Sequence, residues 1–129
     1  MISGHDIEKY IPQRPPFVFI DTIEETNANG ARTRFTITDQ CPLVQNSILP
    51  LAGLMENAAQ TCATRIGNRI GFIGAVKQME VTRFPHVGET ICTNVTVLQE
   101  VLNISLVECI TLVNNEAIAT TTLKIAVMD

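Results

Sequence analysis

The segment 41–63, CPLVQNSILPLAGLMENAAQTCA, places an acid in apolar company, with Glu56 standing among Met55, Ala58 and Ala59. An uncompensated carboxylate inside a protein is strongly unfavourable or takes up a proton. Glu56 is therefore either an ordinary surface charge or the lining of a cavity where a proton is exchanged. Gln60 follows one helical turn later, a spacing that brings side chains together, so its amide can hydrogen-bond that carboxylate or a water beside it. Other reactive groups are few. His5, His86 and the cysteines Cys41, Cys62, Cys92 and Cys109 form no CxxC pair and no cluster with ligand spacing. That argues against a metal site, and no pattern calls for a cofactor. The cysteines read as small core residues of a reducing compartment. Glu108 interrupts an apolar strand face and reads as an edge-strand charge that opposes aggregation.

The elements that must position these groups are legible from pattern. Ser3 is a candidate cap, with Asp6 in the reciprocal position, for a short helix ended by Pro12. Residues 17–25 are rich in Phe, Val and Ile and read as a strand. Asn29-Gly30 signals a hairpin, because both residues tolerate positive φ, and ARTRFTIT returns as its second strand. Pro50 suits a helix start, and Leu51, Leu54, Met55, Ala58, Ala59, Cys62 and Ile66 recur at three- and four-residue steps as far as Gly67. Everything after that reads as strand, with a turn at Pro85–Gly88 and a tight hairpin at Asn114-Asn115. Leu102, Ile104, Leu106, Ile110 and Leu112 alternate onto one face. One helix with several antiparallel strands buries its apolar faces when the sheet curls around the helix. The expected class is α+β, either a hot-dog fold or another α+β roll, as one domain over 1–129.

Bulk composition narrows the function classes. The 129 residues are 46% hydrophobic and 17% charged, with a formal net charge of −4. That balance belongs to a folded chain, part of whose apolar surface is covered by another subunit. An acidic chain with scattered Lys and Arg is a poor nucleic-acid ligand. The N-terminus has no signal-peptide pattern and no apolar run is long enough to span a bilayer, so a soluble cytoplasmic protein is expected, with no membrane partner.

Three stretches carry a family resemblance. IPQRPPFVFID is similar to LPHRxPFxxxD, matched at Pro12, Arg14, Pro16, Phe17 and Asp21. LPLAGLMENAAQ is similar to MPGxxxxEAxAQ, matched at Pro50, Glu56, Ala59 and Gln60. GAVKQMEVTRFPHVGETI resembles a strand-turn segment with a basic-aromatic pair followed by xxPGDxL, matched at Arg83, Phe84, Gly88 and Glu89. The motifs are those of the bacterial β-hydroxyacyl-[acyl-carrier-protein] dehydratases, which are hot-dog proteins. The chain resembles most the dehydratase-like members from aryl-polyene pigment clusters.

The resemblance implies a dimer, with itself or with a homologous hot-dog subunit. An acyl tunnel runs along the interface and accepts 3-hydroxyacyl chains on acyl-carrier protein, in fatty-acid or polyene biosynthesis. It makes Glu56 the acid that protonates the leaving hydroxyl, where an apolar channel favours the protonated carboxyl. Gln60 supports it. The backbone N–H of Leu51, where the family has glycine, holds the thioester oxygen at the helix start. The departure lies at Pro42, where the family's catalytic histidine belongs and this chain has no side-chain base. Cys41, His5, His86 or Glu56 alone are the groups left to take that role. The expectation is a weak dehydratase-type lyase or a catalytically reduced partner. The rivals are an acyl-thioesterase or a non-catalytic acyl-chain-binding module. Arg65, Arg69, Lys77 and Arg83 form either a local patch for an acidic carrier or a solvated face.

Overall fold

The computed structural model describes residues 1–67 and 69–128, with backbone alone at Ile70 and Phe72. Among them, β1 (Ile2–Ser3), β2 (Thr22–Asn27) and β3 (Gly30–Thr36) precede the helix α1 (Leu51–Ala63). Then follow β4 (Ile70–Val81), β5 (Thr90–Val101), β6 (Ile104–Val113) and β7 (Glu116–Met128). All pairings are antiparallel in one sheet of order β1-β2-β3-β5-β6-β7-β4, wrapped around α1. This is the hot-dog arrangement. Alternation makes the wrap possible: Ile91, Thr93 and Val95 of β5 and Val107, Cys109 and Val113 of β6 point inward toward the helix side. β4 is the long edge, hydrogen-bonded to β7 on one side.

The two larger of three apolar clusters fill the space under the sheet. One joins Phe19, Phe35, Ile37, Leu49 and Leu54, with Phe19 stacked on Phe35 at a centroid separation of 5.4 Å. The other joins Ala58, Cys62, Val95, Val107, Cys109 and Leu123. Cys62 and Cys109 face each other there at 3.7 Å, and that contact together with burial holds the Cys109 thiol well above the ordinary thiol range. Between the clusters the helix rests on a hydrogen-bonded seam. Thr61 Oγ1 donates to the Asn57 carbonyl at 2.8 Å, so its single proton is committed and Thr33 Oγ1, 2.8 Å away, must be the donor to it. Thr64 Oγ1 donates likewise to the Thr61 carbonyl, which makes Thr26 Oγ1 the donor at 3.0 Å. Sheet threonines donate to helix threonines at both steps.

Several local expectations need correction. The strand expected over 17–25 begins only at Thr22, because helix side chains, not a neighbouring strand, take the Phe17 carbonyl and both backbone groups of Phe19. Ser3 precedes a 3-10 turn, Gly4–Lys9, but its side chain makes no cap bond. In the first hairpin Asn27 pairs with Gly30, so the turn residues are Ala28 and Asn29, and Asn27 Oδ1 accepts the Asn29 N–H at 2.8 Å. Gly30 is needed for close approach instead: a Cβ there would overlap the Val95 carbonyl oxygen. Leu102, at φ 55°, lies in the turn between β5 and β6 rather than on the strand face expected to include it. The even residues of β6 lie on the outer face, and β6 is an interior strand, so Glu108 is no edge-strand charge. Asn114 and Asn115, at φ 51° and 66°, do form the tight turn expected of them.

Candidate functional site

The helix enters through Pro50, which carries no side-chain cap. Its carbonyl accepts the N–H groups of Gly53 and Leu54, at 2.9 and 3.1 Å. The N–H groups of Leu51 and Ala52 sit in the first turn, beyond reach of an intrahelical acceptor. The Leu51 side chain is 43% exposed. Leu51, Ala52, Met55, Glu56, Ala59 and Ala63 share the less buried face of the helix, with Leu51 and Ala52 exposed, Met55 and Ala63 packed against the core at its margins, and Glu56 half-buried among small and apolar neighbours.

Glu56 is held at one oxygen. Gln60 Nε2 donates to Glu56 Oε1 at 2.9 Å and to the Phe17 carbonyl at 2.9 Å, while Gln60 Oε1 accepts the Phe19 N–H at 2.8 Å. Both amide protons and the acceptor are committed, and the side chain is 0% exposed. The amide cannot be reversed, because that would set NH₂ against the Phe19 N–H. Glu56 Oε1 is therefore always an acceptor, and a proton carried by this carboxyl belongs on Oε2. Sequence reasoning missed Asn57. It is 0% exposed, donates from Nδ2 to the Phe19 carbonyl at 2.7 Å and accepts from Thr93 Oγ1 at 2.6 Å. The available signal was an asparagine where the EAxAQ pattern has alanine.

Pro42 is exposed, in a loop that contributes no imidazole. The mini-hairpin that follows it pairs Gln45 with Ile48 across Asn46 and Ser47, both at positive φ. The loop is stitched to the 82–89 turn: Val87 N–H donates to Ser47 O and Leu49 N–H to Pro85 O, each at 2.9 Å, and Ile48 bridges His86. The fold thus brings His86 alongside the loop containing position 42, which its place in the sequence does not announce. That turn is braced by Arg83, which grips both oxygens of Glu89 at 2.9 and 3.0 Å, and by the His86 N–H on Glu89 Oε1 at 2.8 Å. Arg83 and then the His86 N–H hold the Glu89 carboxyl down at about 2. His5 sits in the N-terminal turn against Glu8 at 3.0 Å. Cys41 is half-buried and lines a cleft of about 310 Å³ with Pro15, Pro16 and Val18.

The basic residues do not form one patch. Arg69 and Arg83 flank the 12-residue β4, whose length at about 3.3 Å per residue is roughly 40 Å. The matched residues of the first stretch act as scaffold: Arg14 pairs with Glu8 at 3.0 Å and donates to the Ile11 and Gln13 carbonyls, and Asp21 accepts the Thr36 N–H at 2.6 Å. Among the described residues no His, Cys, Asp and Glu cluster could hold a metal, and no helix is long and apolar enough to cross a membrane.

A family described as ApeP-like, ApeP dehydratase, matches residues 5–129. The chain belongs to the ApeP-like family. Among curated proteins it is similar to a 3-hydroxyacyl-[acyl-carrier-protein] dehydratase FabZ of Lactiplantibacillus plantarum, 23% identical over 98% of this chain and 95% of that protein. Among solved structures it is similar to the dehydratase heterocomplex ApeI:P of Xenorhabdus doucetiae, with TM-score 0.86 and 14% identity over 95% of this chain and 91% of that one. A hypothetical thioesterase of Streptococcus pneumoniae, solved with coenzyme A, shares the fold at TM-score 0.71 and 8% identity over 83% of this chain and 84% of that one. This ApeP-like chain is thus a dehydratase-like hot-dog protein.

Proposed function

We propose that this ApeP-like protein acts on carrier-bound 3-hydroxyacyl chains, with Glu56 as its acid–base group. The observation that carries the reading is the carboxylate fixed by Gln60 at Oε1, with no partner at Oε2 among the described residues. Its neighbours on the uncovered helix face are apolar or small, as an acyl chain requires. The first-turn N–H of Leu51 is the donor for the thioester oxygen, where the helix dipole stabilises developing negative charge. With proline at position 42, Glu56 Oε2 takes the proton α to the thioester. The C–H electron pair becomes the new C=C bond, the β C–O bond breaks, and the same proton leaves with the hydroxyl as water. The base is otherwise His86, on the turn stitched to that loop.

The second subunit is a hot-dog chain, a copy or a homologue. Laid along the free edge of β4, it covers the helix face that carries Glu56. The ApeI:P assembly is a dehydratase heterocomplex, which supports a pairing of this kind. Pro42 favours a second reading, an acyl-binding partner that performs no chemistry.

The test supplies a 3-hydroxyacyl thioester to the purified protein, alone and with a homologous hot-dog subunit, and follows enoyl absorbance and free thiol. Dehydration that vanishes in Glu56→Gln supports the proposal. Equal, non-zero turnover in both proteins refutes the role of Glu56. Thiol release without enoyl product assigns a thioesterase, and no turnover in any combination assigns the binding module.

A further inference from the structure

We infer that Asn57 is a positioning residue for Glu56, acting through the backbone of Phe19 and the amide of Gln60. The inference rests on the reading above only for its effect on turnover.

A buried amide is tolerated only when its ends are paired. Asn57 achieves this with Thr93 on one side and the Phe19 carbonyl on the other, at 2.6 and 2.7 Å. The Phe19 N–H goes to Gln60 Oε1 at 2.8 Å. Both polar groups of one peptide residue are therefore read by two helix side chains three positions apart, on one helix face. Phe19 lies outside the strands, so no ladder partner holds its backbone. What holds it is the pair of amides and the stacking of its ring on Phe35.

This arrangement makes the amide of Gln60 dependent on Asn57. Gln60 presents its NH₂ to Glu56 because the Phe19 N–H claims its oxygen. Phe19 stays within 2.8 Å of that oxygen because Asn57 holds the other side of the same residue. Without Asn57 the Phe19 carbonyl is left unpaired in an apolar cluster, and the 17–19 segment moves to find a partner. Gln60 then loses the contact that fixes which end of its amide faces Glu56. The carboxylate loses its fixed donor, and with it the assignment of Oε2 as the oxygen that exchanges a proton. Asn57 touches neither the carboxylate nor the acyl site, so its effect on chemistry is indirect.

The experiment reads the Gln60 side-chain NH₂ by ¹⁵N NMR of the full chain, with the resonances assigned by their loss in Gln60→Ala. In Asn57→Ala those protons exchange with solvent at least about tenfold faster than in wild type, and their two shifts converge. Thr93→Val, which keeps shape and removes only the donor to Asn57, moves them the same way by a smaller factor. Thr33→Val, the mild change in the same helix–sheet seam, touches neither Phe19 nor Gln60 and leaves them as in wild type. Where the wild type turns over a 3-hydroxyacyl thioester, Asn57→Ala lowers kcat about tenfold with KM nearly constant. Unchanged Gln60 protons in Asn57→Ala overturn the inference, as does an unchanged kcat beside loosened protons. If Asn57→Ala does not fold, Thr93→Val decides in the same way. A wild type without turnover but with coupled Gln60 protons refutes the proposed activity and leaves the coupling standing.

Discussion

Replacing Thr61 by valine tests the direction of the hydrogen bond between Thr33 and Thr61. Thr33 and Thr61 are both 0% exposed and their hydroxyls are 2.8 Å apart. Because Thr61 spends its proton on the Asn57 carbonyl, Thr33 is the donor across the pair. Thr61→Val strands that buried O–H, at a cost of about 1–3 kcal/mol. The Asn57 carbonyl is little affected, since a helix carbonyl already receives a backbone N–H from four residues on. Thr33→Val is milder, because the Thr61 proton keeps its acceptor and only an incoming donor is lost, at about 0.5 kcal/mol. The double variant removes both hydroxyls, leaves no orphan, and recovers most of the Thr61→Val loss. Urea unfolding at fixed protein concentration is the assay, since association shifts apparent stability. With a slope of about 2 kcal/mol per molar urea, Thr61→Val moves the midpoint down by about 0.5–1.5 M and Thr33→Val by about 0.25 M. A Thr33→Val loss equal to or larger than that of Thr61→Val refutes the assigned direction and the reasoning behind it.

Three further outcomes are expected. The Glu89 carboxyl, lowered from 4.5 to about 2, contributes stability that is complete above about pH 4.5 and is lost as pH falls from there through about 2; Arg83→Met removes most of that acid limb in thermal melts taken between pH 2 and 5. Gly30→Ala forces a methyl into the Val95 carbonyl, so the β3–β5 ladder must shift; the expected loss is about 2 kcal/mol, seen by circular dichroism as a melting temperature lower by about 6–10 °C. Gln60→Ala strands the buried Phe19 N–H and opens a void, and urea titration should show a loss of about 2–4 kcal/mol, well above that of Ala59→Ser on the uncovered face.

The helix, its proline entry and the Glu56–Gln60 pair were legible because helical spacing and short-range hydrogen bonding are local properties of the chain. The Asn114-Asn115 hairpin was legible for the same reason. The expected strand over 17–25 failed from its first residue. Phe, Val and Ile at 17–20 have strand propensity, but tertiary partners on the helix claimed their backbone, and a side chain forty residues away leaves no local signal. The apolar even positions of β6 looked like a core face, yet periodicity reports only that two faces differ and not which one meets the helix. Gly30 was read as a residue of positive φ when the demand on it came from a carbonyl on another strand. His86 beside the 45–48 loop and Asn57 on Phe19 are products of long-range closure, which no spacing rule encodes.

A helix that lies on hydrocarbon alone can roll by small angles as its neighbours change size. The threonine and amide seam under α1 does not permit that, because a turn of a few tens of degrees would break several buried hydrogen bonds at once. The orientation of the carboxyl is thereby decoupled from the composition of the opposite face. Leu51, Ala52 and Ala59 are free to drift, reshaping whatever they contact, while the acid keeps its aim. On the function proposed above, divergence in ligand shape therefore requires no compensating adjustment of Glu56.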